Sequence, residues 1–235
     1  MDISLTRASR GLAVGRTGSG KSTLALKMVE AMPLPRLVID TKYSKAILDT
    51  AGDRDWDIVS TIPKKLEDTL VWRPDPDMLA QPYAMDAELD RLVRKHAICS
   101  VYIDELYQLH SNGRAGPGII GLWTRGREMG FTTLASTQRP AWVSTFCLTE
   151  SDQYYIFTLT QKDDRKKLAD SLGSPEVTEK ILDKHWFWYV LQGEDAVLCT
   201  PLPLEKKPLT QPENGSISNS NSVTQSNLKI PRLIV

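Results

Sequence analysis

Excess charge of either sign is missing from this chain: 29 Lys and Arg stand against 29 Asp and Glu in 235 residues, a formal net charge of zero. The molecule has no overall field to draw in a polyanion, which argues against a repressor-like basic face, so any contact with nucleic acid must be local. Cysteine is scarce. Cys99, Cys147 and Cys199 are odd in number and far apart, with no Cys-x-x-Cys pair and no His at metal-ligand spacing. That pattern offers no disulfide framework and predicts buried, reduced thiols. His96, His110 and His185 show no partner arrangement and read as structural or surface residues. No apolar run reaches the roughly 18 to 20 residues of a membrane span. Met1-Asp2-Ile3-Ser4 does not open a signal peptide, so the expectation is a soluble, intracellular protein. There is no internal repeat.

What is present fits one enlarged α/β domain, with 41% hydrophobic residues to fill its core. Short apolar runs at residues 11–14, 37–40, 70–72, 99–104, 131–136 and 154–159 read as strands. Helical segments separate several of them. Residues 21–32 carry Leu24, Met28 and Val29 at helical spacing and stop at Pro33 and Pro35, and residues 84–97 repeat the pattern with Met85, Leu89, Leu92 and Val93. Strands without strict alternation, interleaved with helices, predict a mostly parallel sheet covered on both faces. Residues 186–191 and 196–202 flank Gly193-Glu194-Asp195 and predict a C-terminal β-hairpin beside that sheet. Trp186, Phe187 and Trp188 then serve hairpin packing in preference to base stacking. The domain is expected to span residues 1–203. Residues 204–235, rich in Pro, Ser and Asn, are expected to form a flexible tail. The tail ends on Leu228-Lys229-Ile230-Pro231-Arg232-Leu233-Ile234-Val235, which reads either as a frayed terminus or as a strand for a neighbouring subunit or capsid protein.

Between the first strand and the first helix lies Gly15-Arg16-Thr17-Gly18-Ser19-Gly20-Lys21-Ser22, followed by Thr23. It matches the Walker A pattern, and strand-loop-helix is the context the pattern requires. Glycines let successive backbone N–H groups turn inward, and the helix N-terminus adds its positive dipole end, so a nucleotide polyphosphate such as ATP fits there. Lys21 should reach the β- and γ-phosphates, and the Ser22 hydroxyl should join a Mg²⁺ shell. Val101-Tyr102-Ile103-Asp104-Glu105 is an apolar strand ending in two acids, the Walker B arrangement. Asp104 is the second metal-site residue, and Glu105 is placed to polarise the attacking water. Taken alone, such a strand could merely end in solvated acids.

The strand at 131–136 ends in Thr137-Gln138-Arg139-Pro140, where a polar residue can lie near the γ-phosphate. Upstream, Thr124-Arg125-Gly126-Arg127-Glu128-Met129-Gly130 reads as a Gly-punctuated turn. Arg125 or Arg127 could act there across a subunit boundary as an arginine finger, or the turn could simply be basic and solvated. The loop at 110–118, with Gly113, Gly116 and Gly118, reads as flexible. Its Arg114 is a candidate DNA-backbone contact if the loop enters a ring pore, and an ordinary surface residue otherwise.

Together these residues resemble the HerA–FtsK superfamily of DNA-pumping ATPases, and within it the packaging ATPases of tectivirus-like viruses, which contain a membrane and have a double-jelly-roll capsid protein. The resemblance covers roughly residues 10–175, and its most specific part is Gly126-Arg127-Glu128-Met129-Gly130, a strand, then Ser136-Thr137-Gln138-Arg139-Pro140. It implies that Gln138 is the sensor and that Arg127, before Arg125, is the finger. Leu37-Val38-Ile39-Asp40-Thr41-Lys42 resembles the family's second-strand Asp-x-Lys. Tyr155-Ile156-Phe157 with Asp163-Asp164-Arg165 is similar to the segment after the last core strand and adds Arg165 as a third arginine. The resemblance implies a RecA-like P-loop core, a homo-oligomeric ring with the hexamer favoured, and nucleotide held between subunits. It implies double-stranded DNA as a cargo bound without sequence specificity, and a capsid or portal-vertex protein and a viral membrane protein as docking partners. The setting would be the host cytoplasm during assembly, with association with the virion. No winged-helix domain of the FtsK kind and no HerA-like barrel is visible, which fits the minimal viral members. The competing readings are a plasmid-transfer or chromosome-handling ATPase of the same superfamily, a small-molecule P-loop kinase, and a nucleotide-gated assembly factor that turns over slowly.

Overall fold

The computed structural model describes residues 5, 7–95, 98–174, 176–179 and 181–203. The expected tail, 204–235, and His96 lie outside the described residues. Among the described residues nine strands form one sheet: β1 (Arg10–Val14), β2 (Arg36–Ile39), β3 (Asp57–Val59), β4 (Thr69–Trp72), β5 (Ser100–Asp104), β6 (Thr132–Thr137), β7 (Gln153–Ile156), β8 (Phe187–Leu191) and β9 (Val197–Cys199). The α-helices are α1 (Lys21–Ala31), α2 (Lys45–Arg54), α3 (Pro76–Leu79), α4 (Pro82–Arg94), α5 (Pro117–Trp123), α6 (Arg125–Glu128), α7 (Thr145–Thr149), α8 (Lys162–Leu172) and α9 (Glu176–Glu179). The sheet order is β3-β4-β2-β5-β6-β1-β7-β8-β9. β3 through β7 in that order pair in parallel, and β8 and β9 add an antiparallel hairpin at one edge. This is the mostly parallel α/β sheet the sequence predicts, hairpin included.

Its central strands are buried along their whole length, as a sheet covered on both faces requires. Successive residues still face opposite ways. Leu12, Val14, Leu37, Ile39 and Ile103 enter one core with Met85, Leu89 and Leu92 of α4 and Ile119 and Leu122 of α5. Ala13, Val38, Val71, Tyr102, Leu134 and Tyr155 enter the other with Leu24, Met28 and Val29 of α1 and Ile47 and Ala51 of α2. The hairpin's Phe187 joins this second core and packs on Phe157, ring centroids 5.0 Å apart.

Two local expectations are corrected. Residues 125–128 form a one-turn helix, not an irregular turn; Gly126 is buried, and its carbonyl accepts the Phe131 amide at 2.8 Å. The loop at 110–118 is not a flexible glycine tether. Ser111 and Arg114 exchange backbone hydrogen bonds of 3.1 and 2.9 Å around Asn112-Gly113, both at positive φ, which is a tight two-residue turn. Gly116 and Gly118 are there for packing: a Cβ on Gly118 would stand 2.4 Å from the Asp86 carbonyl oxygen.

Candidate functional site

Parallel register builds the site. Val14 pairs with Thr137, and Asp104 pairs with Ser136. The residues that follow the C-terminal ends of β1, β5 and β6 therefore come out side by side, although β6 separates the strands bearing the two Walker motifs.

After β1 the chain turns sharply at Gly15, whose φ is 152° and where a Cβ would lie 2.6 Å from Phe157 Cβ. The loop from Arg16 to Gly20 then curls back to α1. Gly15 N–H donates to Thr137 O at 3.3 Å and Arg16 N–H to Thr158 O at 3.1 Å, which ties the loop to β6 and to the segment after β7. Gly20 caps α1 in a left-handed conformation, φ 104°. Lys21 is buried, and its ammonium donates to the carbonyls of Gly15 at 2.6 Å and Arg16 at 3.1 Å. Burial is the main cause lowering this ammonium to about 8; Glu105 opposes the shift, Lys42 adds to it, and Asp104 opposes it.

Asp104 and Glu105 are both buried at the end of β5. Asp104 Oδ1 accepts from Tyr102 OH at 3.0 Å and from Ser136 Oγ at 3.2 Å. Burial first, then the Asp104 charge, holds the Tyr102 phenol well above its usual range, so it remains a donor. Glu105 sits at φ 100°, a strained backbone for a non-glycine residue. Its Oε1 accepts from Thr137 Oγ1 at 2.7 Å and from the Gln138 amide at 2.9 Å, which fixes the carboxylate against β6. Gln138 turns its side chain the other way and accepts from Thr17 Oγ1 at 2.6 Å, linking the phosphate loop to the strand that holds Glu105.

Lys42 is the site residue that strand-by-strand reading left without a role. Its ammonium lies 3.2 Å from Glu105 Oε2 and 3.5 Å from Asp104 Oδ2. Burial opposes its charge most strongly, yet Asp104 and Glu105 outweigh it and raise the ammonium above its ordinary value. The signal was the Asp-x-Lys at the end of β2, a strand adjacent to β5. His185, expected as a structural or surface residue, places Nδ1 3.2 Å from Ser19 O.

The arginines divide by position. Arg125 and Arg127 are exposed on α6, which precedes β6, so they lie at the opposite end of that strand from Gln138. Six residues at about 3.3 Å each put them on the order of 20 Å from the chain's own cradle. Arg165 donates to the carbonyls of Leu159 at 3.2 Å and Thr160 at 2.8 Å, bracing the segment after β7. Arg139 pairs with Asp164 at 3.0 Å and stacks over Trp142. Arg114 is exposed at the tight turn.

Among the described residues near the cradle, buried Ser19 Oγ has no hydrogen-bond partner, and buried Asp104 Oδ2 has none beyond its ion pair with the Lys42 ammonium at 3.5 Å. A buried polar atom without a partner is costly unless something supplies one. A polyphosphate carrying a divalent cation would do so, with Ser22 at the start of α1 beside it. No cluster of three or more His, Cys, Asp or Glu suited to holding a metal by itself occurs among the described residues. No helix among them is long and apolar enough to cross a membrane.

No family model matches the chain. It is 29% identical over 209 residues to the DNA packaging ATPase P9 of Enterobacteria phage PRD1, covering 83% of this chain and 87% of that protein. Its fold is shared with the genome packaging NTPase B204 of Sulfolobus turreted icosahedral virus 2, solved in complex with AMPPCP; the TM-score is 0.64 at 16% identity, over 83% of this chain and 99% of the other. The cytoplasmic domain of the type VII secretion ATPase EccC of Thermomonospora curvata aligns with a TM-score of 0.55 at 17% identity, over 83% of this chain and 26% of that one. The resemblance drawn from the sequence is borne out, and the viral packaging relatives match over almost their whole length.

Proposed function

We propose that this chain, similar in sequence and fold to viral packaging ATPases of the HerA–FtsK type, hydrolyses ATP to drive double-stranded DNA into a preformed capsid. The observation that carries the reading is Glu105: a buried carboxylate at the end of β5, hydrogen-bonded to the Gln138 amide, beside a phosphate cradle to which Gln138 is itself tied. A protein that only held nucleotide would have no use for a water-polarising acid in that position. Gly15 to Thr23 would take the triphosphate, with Lys21 turning from its loop carbonyls to the β- and γ-phosphates. Ser22 and Asp104 would hold Mg²⁺ through hydroxyl and water. Held there, the ion would supply positive charge to offset the negative charge that develops on the phosphates. Glu105 would accept the proton of the attacking water, and Gln138 would report loss of the γ-phosphate through Thr17 and the Glu105 bond.

Arg127, with Arg125 second, would complete the site of a neighbouring subunit, since neither reaches its own. This requires a ring, for which a hexamer is the expectation. Arg114, exposed beyond β5, is the candidate contact to DNA phosphates. Docking to a capsid or portal-vertex protein, in the host cytoplasm and on the virion, follows from the same reading.

The test is ATP hydrolysis at moderate salt with and without long double-stranded DNA, using Lys21→Ala as the blank. The expected outcome is magnesium-dependent turnover that DNA stimulates several-fold and that disappears in Lys21→Ala. Turnover indifferent to DNA but raised by a small molecule would point to a kinase and overturn the motor.

A further inference from the structure

Glu105 has no idle oxygen. Oε1 is committed to Thr137 and to the Gln138 amide, and Oε2 faces the Lys42 ammonium at 3.2 Å. A carboxylate that takes a proton from water must offer that water an oxygen. The oxygen not held by β6 is the one Lys42 covers. The same ammonium stands 3.5 Å from Asp104 Oδ2, the buried oxygen with no hydrogen-bond partner.

The root of Lys42 is fixed, and its ammonium is carried on a long, partly exposed stem. Thr41 Oγ1 donates to Asp104 O at 3.2 Å, and Asp40 is locked by Arg73 Nε at 2.7 Å and the Ser44 amide at 2.9 Å. The lysine side chain is 27% exposed, a point charge on a flexible four-carbon stem. Lys21 feels the charge of Lys42 as well as that of Glu105 and Asp104.

We infer that Lys42 positions Glu105 and is itself a ligand of the terminal phosphate of a bound nucleoside triphosphate. A terminal phosphate carries more negative charge than either carboxylate and draws the ammonium off Glu105 Oε2, which frees that oxygen for the attacking water. A diphosphate ends short of Lys42 and leaves it on the acid. The chain thereby withholds its base until a triphosphate is in place. This inference rests on the ATPase reading and adds a residue and a direction of control to it.

The experiment is equilibrium binding of ADP and of β,γ-methylene-ATP, both with Mg²⁺, to the full-length wild type, Lys42→Met and Lys42→Arg, with circular dichroism to verify folding. Methionine keeps most of the stem and removes the charge. Lys42→Gln serves as a second neutral variant should the methionine chain fail to fold. The expected result is a wild-type preference for the triphosphate analogue that Lys42→Met reduces roughly ten-fold, the scale of one charge-assisted hydrogen bond, with ADP affinity within about two-fold of wild type. Lys42→Arg should recover part of the preference. An unchanged triphosphate-to-diphosphate ratio in Lys42→Met, or an equal loss for both nucleotides, overturns the inference while leaving the ATPase reading intact. A wild-type chain that bound neither nucleotide would remove the ATPase reading and this inference together.

Discussion

Lys21 has only its own loop's carbonyls for hydrogen-bond partners, and its burial lowers the ammonium to about 8. A bound polyphosphate favours the charged form and must raise that value, so binding takes up a proton wherever free Lys21 is neutral. The sign follows: affinity is full below about pH 8 and falls as pH rises through it, approaching one decade per unit. ADP titrations in the absence of metal from pH 6.5 to 9.5 should show this decline. Lys21→Arg, permanently charged, should bind with a flat profile over the same range; an equally steep decline in that variant would assign the titration elsewhere. The residues carrying this chemistry were legible because each is bound to a strand end or a glycine turn. Lys42 was not, since its role depends on which strand β2 lies beside, and that adjacency is a property of the sheet order. Thr137 was hidden for a related reason: nothing in a Thr preceding Gln138 says that its hydroxyl turns to an acid 32 residues earlier.

α4 and α5 show what the glycines of the 110–118 loop are for. Asp86 of α4 accepts from the amides of Gly118 at 3.0 Å and Ile119 at 2.9 Å, capping the N-terminus of α5 from a different helix. That requires the two backbones to touch. In Gly118→Ala the new Cβ would lie 2.4 Å from the Asp86 carbonyl oxygen and 2.7 Å from the Asp90 amide nitrogen, both backbone atoms that cannot swing aside. The expected cost is about 1–3 kcal/mol, by overpacking. At about 2–4 °C per kcal/mol for a chain of this size, a thermal melt should fall by several degrees, with ADP affinity unchanged in the cold. Gly113→Ala makes the contrast: a Cβ there meets only the Trp142 carbonyl, at 3.9 Å, so its cost is the backbone strain of a positive φ and not overpacking. Sequence reading took these glycines for mobility because spacing alone does not separate a turn glycine from a contact glycine. It recovered the six apolar strand runs of the parallel sheet for the opposite reason: strands buried on both faces leave continuous apolar runs. β3, with two of its three residues exposed, leaves no such run. α5 and α8 also escaped: α5 begins at Pro117 between Gly116 and Gly118, and α8 is mostly charged.

The chain carries the proposed ATP site at one end of its sheet and, at the other, two exposed arginines that do not reach it. Glu105 and Lys21 follow the C-terminal ends of β5 and β1, whereas Arg125 and Arg127 precede the N-terminal end of β6. In a ring of like-oriented copies, one end of each sheet can face the opposite end of its neighbour's, a heterologous contact that closes on itself. A site would then need Glu105 from one chain and Arg127 from the next. Glu105→Gln and Arg127→Ala should each abolish turnover alone while still binding ATP. Mixed in equal amounts and allowed to exchange, they place an intact Glu105 against an intact Arg127 at about a quarter of random interfaces, so hydrolysis should reappear toward that fraction of wild type. A finger acting within its own chain predicts no recovery at any mixing ratio, because every chain would carry one defect. Recovery that rises and falls with the mixing ratio, peaking near equal amounts, would identify the interface between subunits as the place where the enzyme is completed.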